Sequence, residues 1–178
     1  RGITISHDSR VVIINPNSSN LFPLRKWPLK YFAETAKQLL AIADNIKIVI
    51  TGSLSEKKDA QTLLTSINSP ASAELAGETD FEELLALYSL SSLIITNDSG
   101  PAHFASIVNL PIVVLFGPET PHLYSPFGSA VRCLYAHFAC SPCVSVYNAK
   151  KSPCKRSLCL EAITVEEVVK NAKELLLL

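Results

Sequence analysis

The feature that most constrains this chain is an alternation of short, mainly apolar runs with stretches of helical period. Val11–Asn15 (VVIIN), Ile46–Ile50 (IKIVI), Leu93–Thr96 (LIIT) and Ile112–Phe116 (IVVLF) are strand-sized and β-branched, and turn residues end each one. Between them, Leu29 to Ala43 puts Phe32, Ala33, Ala36, Leu39, Leu40 and Ala43 on one helical face. Glu56 to Ile67 reads as a second helix. Asp80 and Glu83 form a capping box that opens a third, with Phe81, Leu84, Leu85 and Tyr88 as its apolar face. Ser99 to Val108 is a fourth, with Pro101 where a first turn tolerates it. Thr164 and Glu167 make another box, ahead of a stripe of Val165, Val168, Val169, Ala172, Leu175 and Leu176. A short strand is expected at Glu74–Ala76.

Strands without a polar face, separated by helices, pack as a mostly parallel sheet covered on both sides. The expectation is therefore α/β: a single Rossmann-like domain over residues 1–178, within which 137–160 is a Cys-rich, basic loop. Hydrophobic residues are 48% of the chain, enough for a sizeable core and against disorder. Sixteen Lys and Arg balance sixteen Asp and Glu, which argues against a nucleic-acid binder working by bulk charge. No apolar run approaches the ~18 residues of a membrane helix. Arg1 to Ser9 is polar and does not read as a signal peptide. The chain contains no Met, and we read it as a piece of a longer one.

In open α/β sheets, ligands bind beyond the carboxyl ends of the strands. Here those ends are Asn15-Pro16-Asn17-Ser18-Ser19, Thr51-Gly52-Ser53, Asn97-Asp98-Ser99-Gly100 and Gly117-Pro118-Glu119-Thr120, all small, polar or Gly-containing. The sharpest is Thr96–His103, which joins a strand directly to a helix N-terminus. Free N–H groups and the positive dipole end suit an anion there. Gly100 lets a phosphate approach the backbone, and His103 lies one turn in. The same residues also suit a plain helix cap with His103 packed under the sheet. Arg25 and Lys26, on the same rim, suit a diphosphate or are solvated charges. Glu56 suits a ribose hydroxyl or is an acid placed well in a first turn. Trp27 is most simply a core aromatic. The dinucleotide G-x-G-x-x-G and the P-loop are both absent. Asp98, Ser99 and His103 fall within one helical turn and cannot take the geometry of a hydrolytic triad.

The run Thr96-Asn97-Asp98-Ser99-Gly100-Pro101-Ala102-His103, followed by Leu110–Thr120 (LPIVVLFGPET), resembles the signature of family 9 glycosyltransferases, the ADP-heptose:lipopolysaccharide heptosyltransferases and their relatives. Arg25-Lys26-Trp27-Pro28 resembles the basic-x-Trp-Pro segment of that family. The resemblance runs from about Val11 to Val169. It implies the C-terminal, nucleotide-sugar-binding half of a GT-B enzyme, with the acceptor domain and the general base in an N-terminal half. By that resemblance Asp98, Ser99, Gly100 and His103 contact the donor diphosphate and sugar. Arg25 stands where the family usually has Lys, beside Lys26. Ser18 and Ser19 match hydroxyl contacts, Glu56 a ribose contact and Thr79 an adenine-side position. The family is inverting and uses no metal or organic cofactor. The implied partners are an ADP-heptose-type donor and a lipid-linked glycan acceptor, with no nucleic acid. The implied location is the cytoplasm, peripheral to the inner membrane. The rivals are a UDP-sugar enzyme of GT-B form, such as a 2-epimerase, and a non-catalytic nucleotide- or metal-binding module.

Four of the five cysteines crowd one segment: Cys140-x2-Cys143 and, ten residues on, Cys154-x4-Cys159. The spacing is plausible for zinc, but the second pair has a wide gap and no His is aligned with it, so a loop with buried or free thiols is the simpler reading and no metal ligand is assigned. Lys150, Lys151, Lys155 and Arg156 make the segment basic; it faces acceptor phosphates, a membrane surface or solvent.

Overall fold

The computed structural model describes residues 3–18, 22–145, 147 and 151–177. Six strands form one sheet: β1 (Arg10–Asn15), β2 (Ile46–Ile50), β3 (Ser72–Glu74), β4 (Leu93–Asn97), β5 (Ile112–Phe116) and β6 (Val131–Tyr135). Their order is β3-β2-β1-β4-β5-β6, and every pairing is parallel. This is the doubly wound order, whose direction of winding reverses between β1 and β4.

The helices are α1 (Leu29–Leu40), α2 (Lys57–Ile67), α3 (Phe81–Ser89), α4 (Gly100–Ile107), the single turn α5 (Pro121–Tyr124), α6 (Leu158–Glu161) and α7 (Val165–Leu176). Successive strand residues point to opposite faces. Val12 and Ile14 join the core under α1, α2 and α7. Val11 and Ile13 join the core under α3 and α4, with Tyr88, Ala102 and Ala105. All four of these strand residues are almost fully buried, which is why the central strands read as unbroken apolar runs.

The local signals hold in detail. Asp80 Oδ1 accepts from the Glu83 N–H at 2.8 Å, and Glu83 Oε2 accepts from the Asp80 N–H at 3.0 Å. Thr164 Oγ1 accepts from the Glu167 N–H at 3.1 Å and starts α7, but of the expected box only this half is formed among the described residues. Val165, Val168, Val169, Ala172 and Leu176 of α7 are buried, and Leu175 packs half-buried beside them.

Three expectations need correction. The short strand is Ser72–Glu74, two residues earlier than the sequence suggests. A sixth strand, Val131–Tyr135, lies at the sheet edge where no strand was expected. Only Leu134 of it is buried, so it lacks the unbroken apolar run of a central strand. Phe81, assigned to the buried face of α3, is 50% exposed.

Candidate functional site

The chain ends of β1 and β4 meet at the switch point, and side chains rather than backbone tie them together. The Asn97 amide donates to Pro16 O at 2.8 Å, and its Oδ1 accepts the Trp27 backbone N–H at 2.9 Å. Trp27 Nε1 donates to Ile163 O at 3.1 Å, so one buried indole links the loop after β1 to the segment before α7. Its ring is 1% exposed and packs edge-on against Phe32. This frame fixes Arg25, two residues upstream.

Arg25 Nη1 lies 3.4 Å from Asp98 Oδ2. Its guanidinium sits 5.0 Å from the centre of the Phe22 ring, and its buried Nε has no hydrogen-bond partner among the described residues. Asp98 is buried at the start of the β4–α4 turn. Burial pushes its carboxyl above the usual aspartate range; Arg25 pulls it down, and the nearby buried Glu119 pushes it up. Ser99 is the N-cap residue of α4, but its side chain makes no capping bond. Instead its hydroxyl donates to Asn17 O at 3.4 Å and Asn97 O at 3.3 Å. That leaves the first turn of α4 open to an anion. Gly100 and His103 stand exposed on that turn, so His103 does not pack under the sheet.

The remaining residues divide. Lys26 turns away from Asp98 and reaches Asp59 of α2 at 3.5 Å. The buried Ser18 donates its hydroxyl to Phe22 O at 3.3 Å. Glu56 Oε2 accepts the Ser53 N–H at 2.7 Å as the reciprocal half of a capping box. Glu56 and Thr79 nevertheless line one cleft of about 340 Å³, beside Gly52, with Phe81, Leu84 and Phe104 as its apolar wall. Phe81 meets Phe104 edge-on at 5.1 Å, which explains an exposed Phe at the head of α3. Ser19 and Lys150 lie outside the described residues.

Asn17 escaped the sequence reading, which took only the hydroxyls of its loop. It is 2% exposed, yet neither Oδ1 nor Nδ2 has a hydrogen-bond partner among the described residues. An unpaired buried amide costs about 1–3 kcal/mol, a cost that a bound ligand removes. Nδ2 would lie 3.1 Å from a Cβ on Gly52, so the amide is directed over the end of β2. The signal was its place beyond a strand end in a run of small polar residues.

Cys140, Cys143, Cys154 and Cys159 all line a second, small cavity of about 70 Å³ behind Leu24 and Pro118. None of the cysteines is in a disulfide. Among the described residues, no group of three or more His, Cys, Asp or Glu side chains is arranged to hold a metal.

The doubly wound parallel sheet, the polar switch point and the uncapped start of α4 define an α/β domain with a polar rim along its strand ends. The family model for glycosyltransferase family 9 (heptosyltransferase) matches residues 4–152, and the chain belongs to that family. Lipopolysaccharide heptosyltransferase 2 of Salmonella typhimurium is 35% identical over 115 residues, 63% of this chain and 32% of that protein. Lipooligosaccharide heptosyltransferase 2 of Campylobacter jejuni is 25% identical over 178 residues, 98% of this chain and 53% of that protein. The solved E. coli ADP-heptose lipopolysaccharide heptosyltransferase II superposes with a TM-score of 0.79 at 26% identity, covering 97% of this chain and 48% of the other. The chain thus spans about half the length of the relatives that it matches end to end.

Proposed function

We propose that this domain binds the nucleotide-sugar donor, an ADP-heptose or related ADP-sugar, for an inverting transfer to a lipopolysaccharide-core acceptor. The observation that carries this is the Arg25–Asp98 pair at the open N-terminus of α4, in a chain of family 9. The name of the matched E. coli structure contains ADP-heptose, which favours ADP over UDP and the heptosyl reading over the 2-epimerase.

In this reading the diphosphate lies along the first turn of α4, facing Arg25 and His103, with Gly100 giving it room. Asn17 and Ser18 take the near phosphate or the sugar. The nucleoside enters the cleft of Gly52, Glu56, Thr79 and the Phe81–Phe104 pair. A base in the other half of the enzyme takes the acceptor hydroxyl proton. The oxygen attacks the anomeric carbon, and the bond to the diphosphate breaks with its electrons going to ADP. Arg25, His103 and the helix start stabilise that developing charge. No cofactor is needed for such a step. The acceptor, and any contact with the cytoplasmic face of the inner membrane, are assigned to the other half; no described helix is long and apolar enough to cross a membrane.

The test is a thermal-shift and calorimetry panel of ADP, UDP, GDP and ADP-sugars. ADP and its sugars should bind more tightly than UDP or GDP. Tighter binding of UDP would favour the epimerase reading, and no nucleotide binding at all would remove the donor site.

A further inference from the structure

Arg25 also lines a groove that is separate from the nucleoside cleft: the two share no lining residue. The groove runs between the loop after β1 and the 144–155 stretch and measures about 300 Å³. We propose that it binds an anionic sugar, a phosphorylated or carboxylated residue of the acceptor glycan, so that this half of the enzyme holds one end of the acceptor as well as the donor. The proposal rests on the donor reading for its place in the reaction.

Three observations carry it. The first is charge. Arg25 and Lys155 line the groove from opposite segments with the Ser152 hydroxyl, and no Asp or Glu is among its described lining residues. Neighbouring cations are spent on carboxylates: Lys26 on Asp59 at 3.5 Å, and Arg156 on Glu161 at 3.1 Å. Lys155 makes no ion pair among the described residues. Arg25 keeps a buried Nε without a hydrogen-bond partner among them. A cation free of acids, over a groove without carboxylates, attracts an anion.

The second is shape. Phe22, Pro23, Pro118 and Val144 give the groove apolar walls. Such walls suit the C–H surface of a sugar ring, while its hydroxyls and its charged group turn to the few polar side chains. The walls are already fixed. The Cys143 and Val144 N–H groups donate to Pro118 O at 2.9 and 3.0 Å, and the Ser157 hydroxyl donates to Leu24 O. Ser152 Oγ lies 3.3 Å from Cys143 Sγ and accepts the Cys154 N–H at 3.2 Å. A preformed groove spends little binding energy on ordering itself.

The third is place. Arg25 pairs with Asp98 at the head of α4, so the groove adjoins the position proposed for the diphosphate. Inversion requires the acceptor hydroxyl to reach the anomeric carbon from the side away from the leaving diphosphate. A groove beside Arg25 and apart from the nucleoside cleft suits such an acceptor. The transferred heptose is neutral and gains nothing from Lys155. Most of the acceptor rests on the other half of the enzyme; the groove takes the anionic group that faces this one.

The experiment is a titration of the ¹⁵N-labelled chain, followed by amide shifts, with glucose 6-phosphate, glucuronate and glucose, each with and without ADP-glucose. The two anions should shift Phe22, Leu24, Arg25, Val144, Ser152 and Lys155 with dissociation constants of about 1–10 mM, and glucose should not. The stronger of the two anions identifies the charged group. Lys155→Glu should weaken binding about fivefold, the upper range for an exposed ion pair. Lys151→Glu, the same charge change at an exposed residue that does not line the groove, should leave it unchanged. Any one of three results would overturn the site: no shifts up to about 50 mM anion, glucose binding as well as the anions, or equal losses in Lys155→Glu and Lys151→Glu. Displacement of the anions by ADP-glucose would also overturn it, by giving the groove to the donor's own sugar. If ADP-glucose fails to bind while the anion shifts persist, the donor reading falls and the anion site stands.

Discussion

Arg25 Nη1 stands 3.4 Å from Asp98 Oδ2, so a cation from the loop after β1 meets a buried carboxylate at the end of β4. The pair spans the point where the sheet reverses its winding. It also leaves Arg25 with donors to spare, since its buried Nε has no partner among the described residues. A guanidinium held by Asp98 and by the Phe22 ring is more firmly placed than a flexible surface Lys, which suits the phosphate contact proposed for it.

Arg25→Ala should therefore weaken ADP binding by about 1.5–3 kcal/mol, the scale of hydrogen bonds to charged groups, and leave adenosine nearly unaffected. It should also lower the melting temperature of the free protein, because Asp98 would remain buried without its cation. Arg25→Lys should recover part of both losses. Calorimetry with ADP and adenosine separates the effects; equal weakening of adenosine would place Arg25 away from the phosphates.

Asp98 sets a pH dependence. Burial, the largest influence, holds its carboxyl above the usual 3.8 despite Arg25. The folded chain thus binds this proton more tightly than the unfolded chain does. Asp98 then contributes most to stability when protonated, and that contribution is lost as pH rises from 3.8 through the raised folded value. Asp98→Asn keeps the shape and removes the titration. Its melting temperature relative to the parent should be most favourable near neutral pH, and the advantage should shrink on acidification. An advantage that grows as pH falls would show that the ion pair outweighs burial.

His103 is exposed on the first turn of α4. His103→Ala should leave the melting temperature of the free protein within about 1–2 °C, as surface substitutions do. It should weaken ADP by about 1–2 kcal/mol if the ring reaches the diphosphate. A large loss of stability with unchanged ADP affinity would assign His103 to packing.

Legibility followed burial. β1, β2, β4 and β5 are covered on both faces, so each wrote a mainly apolar run into the sequence, broken in β2 only by the half-buried Lys47, and the caps Asp80 and Thr164 were plain from single residues. β6 did not, because an edge strand mixes Arg132 and Cys133 with Val131 and Leu134 and leaves most of them half-buried. Periodicity placed Phe81 in the core because a residue that walls a cleft and one that fills a core obey the same spacing. The strand ends pointed to the rim, but its partnerships were hidden. Arg25 and Asp98 are 73 residues apart, and nothing local distinguishes Arg25 from Lys26, which pairs instead with Asp59. Cysteine spacing was visible; that both motifs close on one cavity required the fold.

Asn17 separates stability from binding. Its amide is buried and unpartnered in the free chain, so Asn17→Ala removes a desolvated polar group as well as some packing. The two effects oppose each other, and the melting temperature should change little or rise. In the proposed donor complex the amide gains partners, so the same substitution should weaken ADP-sugar binding about tenfold, or about 1.4 kcal/mol. Gly52→Ala approaches the same group from the other side. Its methyl would sit 3.1 Å from Asn17 Nδ2 and 3.2 Å from Glu56 Oε2, tight enough that both side chains must yield. It should narrow the nucleoside cleft and weaken ADP and adenosine alike, in contrast to Arg25→Ala. Thermal melts and calorimetry on the two variants make the comparison. A clear loss of stability in Asn17→Ala with ADP-sugar affinity intact would make Asn17 a strut of the loop and remove it from the donor site.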